Sequence, residues 1–62
     1  MKLIEINATE LKIGDKVRIA GGDYRIISFV EISSNGKSVF YKFEGKDRKN
    51  RIGVNTKVGI FE

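Results

Sequence analysis

The sequence predicts an all-β domain of five to six short antiparallel strands with one short helical turn, and three observations carry that expectation. Nine Ile and five Val against two Leu and two Ala bias the chain toward β-branched side chains, which pack well on a pleated surface and lose rotamer freedom in a helix. Turn-forming clusters recur at short, regular intervals: Gly14-Asp15, Gly21-Gly22-Asp23, Ser33-Ser34-Asn35-Gly36, Gly45 to Asn50 and Asn55-Thr56. Between them apolar and polar residues alternate with period two, the repeat of a half-buried strand.

The first strand is read over Lys2 to Ile6, with Ile4 and Ile6 on one face and Glu5 on the other. Asn7-Ala8-Thr9-Glu10 has the form of a capping box, so a single helical turn follows and carries Leu11 inward. Lys16 to Ala20 makes the next strand, Val17 and Ile19 inward and Lys16 and Arg18 outward. A tight hairpin at Gly21-Gly22-Asp23 leads into a long strand from Tyr24 to Ile32, where the adjacent Ile26 and Ile27 break the alternation. A bulge or strong bend near Ser28 reconciles Ile26 with Phe29, a device that small barrels use to turn a corner.

Asn35-Gly36 marks the next hairpin, Asn-Gly being a strong two-residue turn signal. In Lys37 to Glu44, Val39, Tyr41 and Phe43 share one face while Ser38, Phe40, Lys42 and Glu44 share the other. Arg51 to Val54 follows, with Ile52 and Val54 inward, and Lys57 to Phe61 ends the set with Val58 and Ile60 inward. First and last strands can then pair and close the sheet on itself. This pattern describes a small SH3-like barrel formed by residues 1–62 as a single domain, with an open β-sandwich or OB-like barrel as the alternative.

Composition narrows function by exclusion. A chain of 62 residues buries only about 60% of the surface its unfolded form exposes, enough for one core and no second domain. With no Cys and no His, it lacks the soft metal ligands and the common nucleophile and base residues, so neither a metal, a cofactor nor an enzymatic activity is expected. The carboxylates are scattered singly, without a calcium-loop pattern. Ser28, Ser33, Ser34 and Ser38 have no histidine partner, and the glycines form neither GxGxxG nor a P-loop. Gly53 and Gly59 fall within strands, where glycine marks a bulge, a bend or a close approach of backbones. Absence of cysteine fits a reducing cytoplasm, and the apolar pair Leu3-Ile4 is broken by Glu5, so no signal-peptide core and no membrane span are expected.

The net charge of +4 is unevenly placed. Gly45 to Arg51 holds Lys46, Arg48, Lys49 and Arg51 against Asp47 alone, which concentrates the attraction for an anionic partner in one loop. Arg can bridge phosphate oxygens bidentately and Lys adds a mobile point charge, so this loop is the candidate phosphate-contacting element; the bland alternative is a solvated hairpin loop. Phe40 is expected to face outward beside Lys42, an aromatic among basic residues of the kind used for base stacking, unless a second small cluster covers it. Tyr24 and Tyr41 are expected to pack their rings on the inner edge of the barrel with the hydroxyls reaching water.

The run Leu11-Lys12-Ile13-Gly14-Asp15-Lys16-Val17-Arg18-Ile19, continued by Gly21-Gly22 and Tyr24-Arg25-Ile26-Ile27-Ser28-Phe29, resembles the opening half of SH3-like translation and transcription modules. It looks like the KOW-type barrel of ribosomal and transcription-elongation proteins, and like the N-terminal domain of elongation factor P with its Gly-Gly-x-aromatic-Arg turn. The resemblance covers about 20 residues; it implies an SH3-like fold and RNA or protein binding through loops. Within the elongation factor P analogy, Lys37 sits where that family carries a loop-tip lysine. Short isolated barrels of this pattern also resemble accessory proteins of bacteriophages and mobile elements. The functional expectation is a non-enzymatic, cytoplasmic module that binds nucleic acid or a ribonucleoprotein through Lys46, Arg48, Lys49 and Arg51, with Lys42, Phe40 and Lys37 as neighbouring candidates. The alternative is a protein-interaction module that uses an apolar patch or barrel edge.

Overall fold

The computed structural model describes residues 2–62. It is all-β, with strands β1 (Leu3–Asn7), β2 (Lys16–Arg18), β3 (Tyr24–Ile32), β4 (Ser38–Phe43), β5 (Asn50–Gly53) and β6 (Lys57–Phe61). All pair antiparallel in one sheet of order β1-β6-β2-β3-β4-β5.

The helical turn after β1 is a 3-10 turn over Ala8–Glu10. The Glu10 carboxylate accepts the Asn7 backbone N–H at 3.1 Å, and the Ala8 N–H reaches across to the Thr56 carbonyl at 2.8 Å. With both donors occupied the turn drops Ala8 and Leu11 into the interior, where both are buried.

The second strand is shorter than expected. It stops at Arg18 because Ala20–Gly22 winds into a second 3-10 turn, in which Gly21 and Gly22 take φ of +81° and +76°. Only glycine enters that region without steric cost, so the consecutive pair bends the chain two residues before the alternation would have ended. The Ile19 N–H donates to the Asp23 carbonyl at 2.9 Å and closes the loop.

The central feature is a bulge in β3. Ile27 pairs with Phe43 and Phe29 pairs with the adjacent Lys42, so Ser28 is the extra residue, at the position the Ile26-Ile27 doublet demanded. Before it, Tyr24 and Ile26 lie on the outer face of the sheet and Ile27 points in; after it, Phe29 and Glu31 lie outside and Val30 points in. Ile26 and Phe29 therefore do share a face, and that face is the outer one. Tyr24 to Ile26 pairs with β2, whereas Ile27 to Ile32 pairs with β4, so one strand belongs to both halves of the molecule.

First and last strands pair over five positions, from Leu3 with Phe61 to Asn7 with Lys57. The expected closure goes no further. β6 uses both of its edges, on β1 and on β2, while the four-residue β5 pairs with β4, so the ladder ends on β1 and β5.

The inner face buries Leu11, Val17, Ile27 and Ile60 as one cluster, flanked by Ile4, Ile6, Val30, Tyr41, Phe43, Ile52 and Val58. Val39 is also fully buried, between its register partners Ile32 and Ile52. Each such aliphatic contributes about 1.5–3 kcal/mol over its exposed state. Val54, expected inward on a strand, instead begins the turn after β5 and is only half-buried. Gly59 was expected to serve a bulge or close approach, but a Cβ there would meet Leu3 Cδ1 at 3.5 Å, an ordinary contact. Among the described residues no helix is long and apolar enough to cross a membrane.

Candidate nucleic-acid interface

The outer face of β3, β4 and β5 gathers the candidate side chains because residues directly opposite in an antiparallel pair share a side of the sheet. Phe40 lies between Glu31 on β3 and Arg51 on β5, and Lys42 lies opposite Phe29. The core residues Val39 and Tyr41 alternate with them along β4, which fixes Phe40 and Lys42 outward.

The charges and rings make contact there. Lys42 Nζ stands 5.4 Å from the Phe29 ring centroid. Lys49 Nζ stands 5.3 Å from the Phe40 centroid and 5.8 Å from that of Phe29, so a single ammonium sits over both rings. Each such cation–π contact is worth about 0.5–1 kcal/mol at an exposed site, weak enough for the cation to leave when a better counter-charge arrives. Both rings are half-buried. The cover on Phe40 is thus a lysine side chain, and the second cluster considered from the sequence consists of Phe29, Phe40 and their cations.

Arg51 is exposed but anchored: its Nε donates to Ser38 Oγ at 3.2 Å, and the buried Ser38 is held in turn by its own N–H donating to Ser33 Oγ at 3.1 Å. That bond uses one of five guanidinium donors and fixes the direction of the side chain. Below the face, burial raises the Tyr41 phenol above its usual 10.0, so the hydroxyl stays neutral beneath the basic surface.

Lys46 and Arg48 are exposed on the loop between β4 and β5, which turns at Phe43 through the Lys46 N–H donating to the Phe43 carbonyl at 3.1 Å. Lys37 falls elsewhere. It lies on the loop between β3 and β4, where Asn35 Oδ1 accepts its N–H at 3.0 Å and its carbonyl accepts the Val54 N–H at 3.2 Å. The length of β4 separates it from Lys42 by roughly 17 Å at strand rise, whereas it directly precedes Ser38, the residue that anchors Arg51.

Tyr24 also departs from expectation. Opposite Arg18 on the outer face, it packs edge-to-face on Phe61 at 6.0 Å and 64°, with Lys16 Nζ 5.7 Å from its centroid. Only Tyr41 joins the core, where it meets Phe43 edge-to-face at 5.4 Å.

Phe29 is the site residue that sequence reasoning missed. Its signal was the isoleucine doublet itself: a one-residue insertion after Ile27 sends the second aromatic of the strand to the face opposite Ile27.

Among the described residues no group of three or more carboxylates is placed to hold a metal ion. No family model matches the chain, and no curated protein or solved structure is significantly similar to it.

Proposed function

We propose that this chain is a non-enzymatic, SH3-like small-barrel module that binds nucleic acid, free or within a ribonucleoprotein, in the cytoplasm. The observation that carries the reading is the convergence of Lys42, Lys49 and Arg51 with Phe40 on one outer face, next to a loop that adds Lys46 and Arg48. Phosphates supply the charge that such a cluster lacks, and cations held only against aromatic rings exchange readily to phosphate oxygens. Arg51, already oriented by Ser38, supplies a directed donor fork, whereas the lysines act as mobile point charges.

The test is fluorescence anisotropy of labelled oligonucleotides between about 50 and 200 mM salt. With about four phosphates neutralised, log K falls against log salt with a slope of about −3 to −4, and Arg48→Glu with Lys49→Glu removes the binding. If no polymer binds at the lower salt, the reading is wrong, and the competing one, a protein-interaction module using the apolar surface around Leu3 and Phe61, takes its place.

A further inference from the structure

We infer that the polymer is single-stranded, and that its bases stack on Phe29 and Phe40 while its phosphates run along the β5 side. This rests on the nucleic-acid reading above and adds the polymer form, the direction in which it lies and a residue, Phe29, outside the basic loop.

A cluster of positive charge attracts duplex and single strand alike, because both present phosphates. Aromatic faces do not: a duplex shows only base edges in its grooves, and the flat faces of bases become available where a strand is unpaired. The outer face here offers two such rings, and the position of Lys49 over both shows how close they are, for their centroids lie no further apart than the 5.3 Å and 5.8 Å contacts together allow. Two bases of one strand fit that span.

The lysines mark the faces that bases would take. Lys49 and Lys42 occupy the rings of the free protein, and a base arriving on a ring displaces an ammonium that is still tethered beside it, within reach of the phosphate that the base brings. Ring and cation thereby each exchange one partner for a stronger one.

The direction follows from the charges by strand. β5 and the residue before it carry Arg51 and Lys49, β4 carries Lys42, and β3 carries Glu31, opposite Phe40. A phosphate beside Glu31 is repelled and one beside Arg51 is attracted, so the backbone tracks β5 and the bases point toward β3. On that side Glu31 can accept a hydrogen bond from the exocyclic amino group of cytosine or adenine.

The experiment compares single-stranded DNA and RNA of about 12 nucleotides with duplexes of the same sequences, for the native protein and for Phe29→Leu with Phe40→Leu, which keeps apolar cover while removing the rings. Phe40→Trp serves as the rescue, since it restores a stacking face, and circular dichroism verifies that each variant is folded. Single strands are expected to bind at least about tenfold tighter than duplexes, the leucine pair to lose about tenfold or more on single strands only, and Phe40→Trp to retain affinity. In the native protein, ring-proton NMR resonances of Phe29 and Phe40 shift on binding, which a purely structural role would not produce. Salt-sensitive binding that is equal on duplex and single strand and indifferent to the leucine pair overturns this inference and leaves the basic-loop reading standing. Absence of binding to every polymer overturns both.

Discussion

The outer surface of the sheet has two halves, joined by β3, and both place aromatic rings beside lysines. In the half made by β1, β6, β2 and the start of β3, Tyr24 and Phe61 meet edge-to-face at 6.0 Å, Leu3 lies opposite Phe61, and Lys16 Nζ stands over the Tyr24 ring at 5.7 Å. In the half made by the end of β3 with β4 and β5, the cover on Phe29 and Phe40 is two ammonium groups. The difference is what a ring has as its neighbour. Tyr24 carries a cation too, but its contact with Phe61 already engages both rings in packing, whereas Phe29 and Phe40 are in no aromatic pair among the described residues and keep a face that their flexible cations can vacate. A basic loop adjoins only the second half, which therefore combines rings covered by exchangeable cations with a local excess of positive charge.

The largest effect expected from breaking this division lies at the junction. Ile27→Ala should destabilise the fold by about 3 kcal/mol, lowering the melting temperature by more than about 10 °C, because Ile27 is completely buried in the core cluster. Its neighbour Ile26, half-buried on the outer face, should lose about 1 kcal/mol or less on the same substitution. Equal losses, measured by thermal or urea denaturation, would mean that Ile26 and Ile27 do not lie on opposite faces of the sheet.

A second comparison reverses charge on each half in turn. Lys42→Glu with Lys49→Glu is expected to weaken nucleic-acid binding about 100-fold at low salt, and Lys16→Glu with Arg18→Glu by no more than about threefold. Comparable losses from both pairs would assign binding to net charge alone and erase the distinction between the halves.

The smallest effect sharpens the picture of the first half. Gly59 floors an open depression of about 460 Å³ lined by Leu3, Glu5 and Arg18 among others. Its backbone lies outside the positive-φ region, and a Cβ would find only ordinary contacts with Leu3 and Arg18. Gly59→Ala should then stabilise the protein by about 0.5 kcal/mol, through the lower entropy of the unfolded chain, and leave oligonucleotide affinity unchanged. A fall in affinity would extend the binding surface into this half.

Much of the fold was legible because local chemistry decides it. The long strand from Tyr24 to Ile32 and the last from Lys57 to Phe61 have the limits that their flanking turn residues imply, and the Asn7–Glu10 turn follows from its capping pattern. The bulge was legible too, since two adjacent isoleucines cannot both enter one core from a regular strand. Its consequence for orientation was not, because the doublet alone does not say which of Ile26 and Ile27 faces inward; the tertiary packing against Leu11, Val17 and Ile60 decides that, and with it the outward placement of Phe29. Closure of the sheet was equally out of reach, being a matter of whether two distant edges arrive together. Of the candidate site, Phe40 and Lys42 follow from period-two alternation along β4 and Lys49 and Arg51 from the concentration of charge before and at the start of β5, while Lys37, grouped with them by analogy, lies just before β4, at the end away from Lys42.

Ser28 shows how information can reside in the number of residues and not in their identity. Its side chain is exposed, and its one hydrogen bond, Oγ to the Lys42 carbonyl, spans 3.3 Å, so little depends on the serine as such. Its place in the count governs everything downstream in the strand. Pairing the strand regularly through Ser28, with no bulge, would exchange the insides and outsides of the remainder, sending Phe29 and Glu31 toward the core and Val30 and Ile32 toward water. The interior and the outer face are thus written on the same stretch of chain in two registers, and the shift between them rests on the extra position and not on the side chain that fills it.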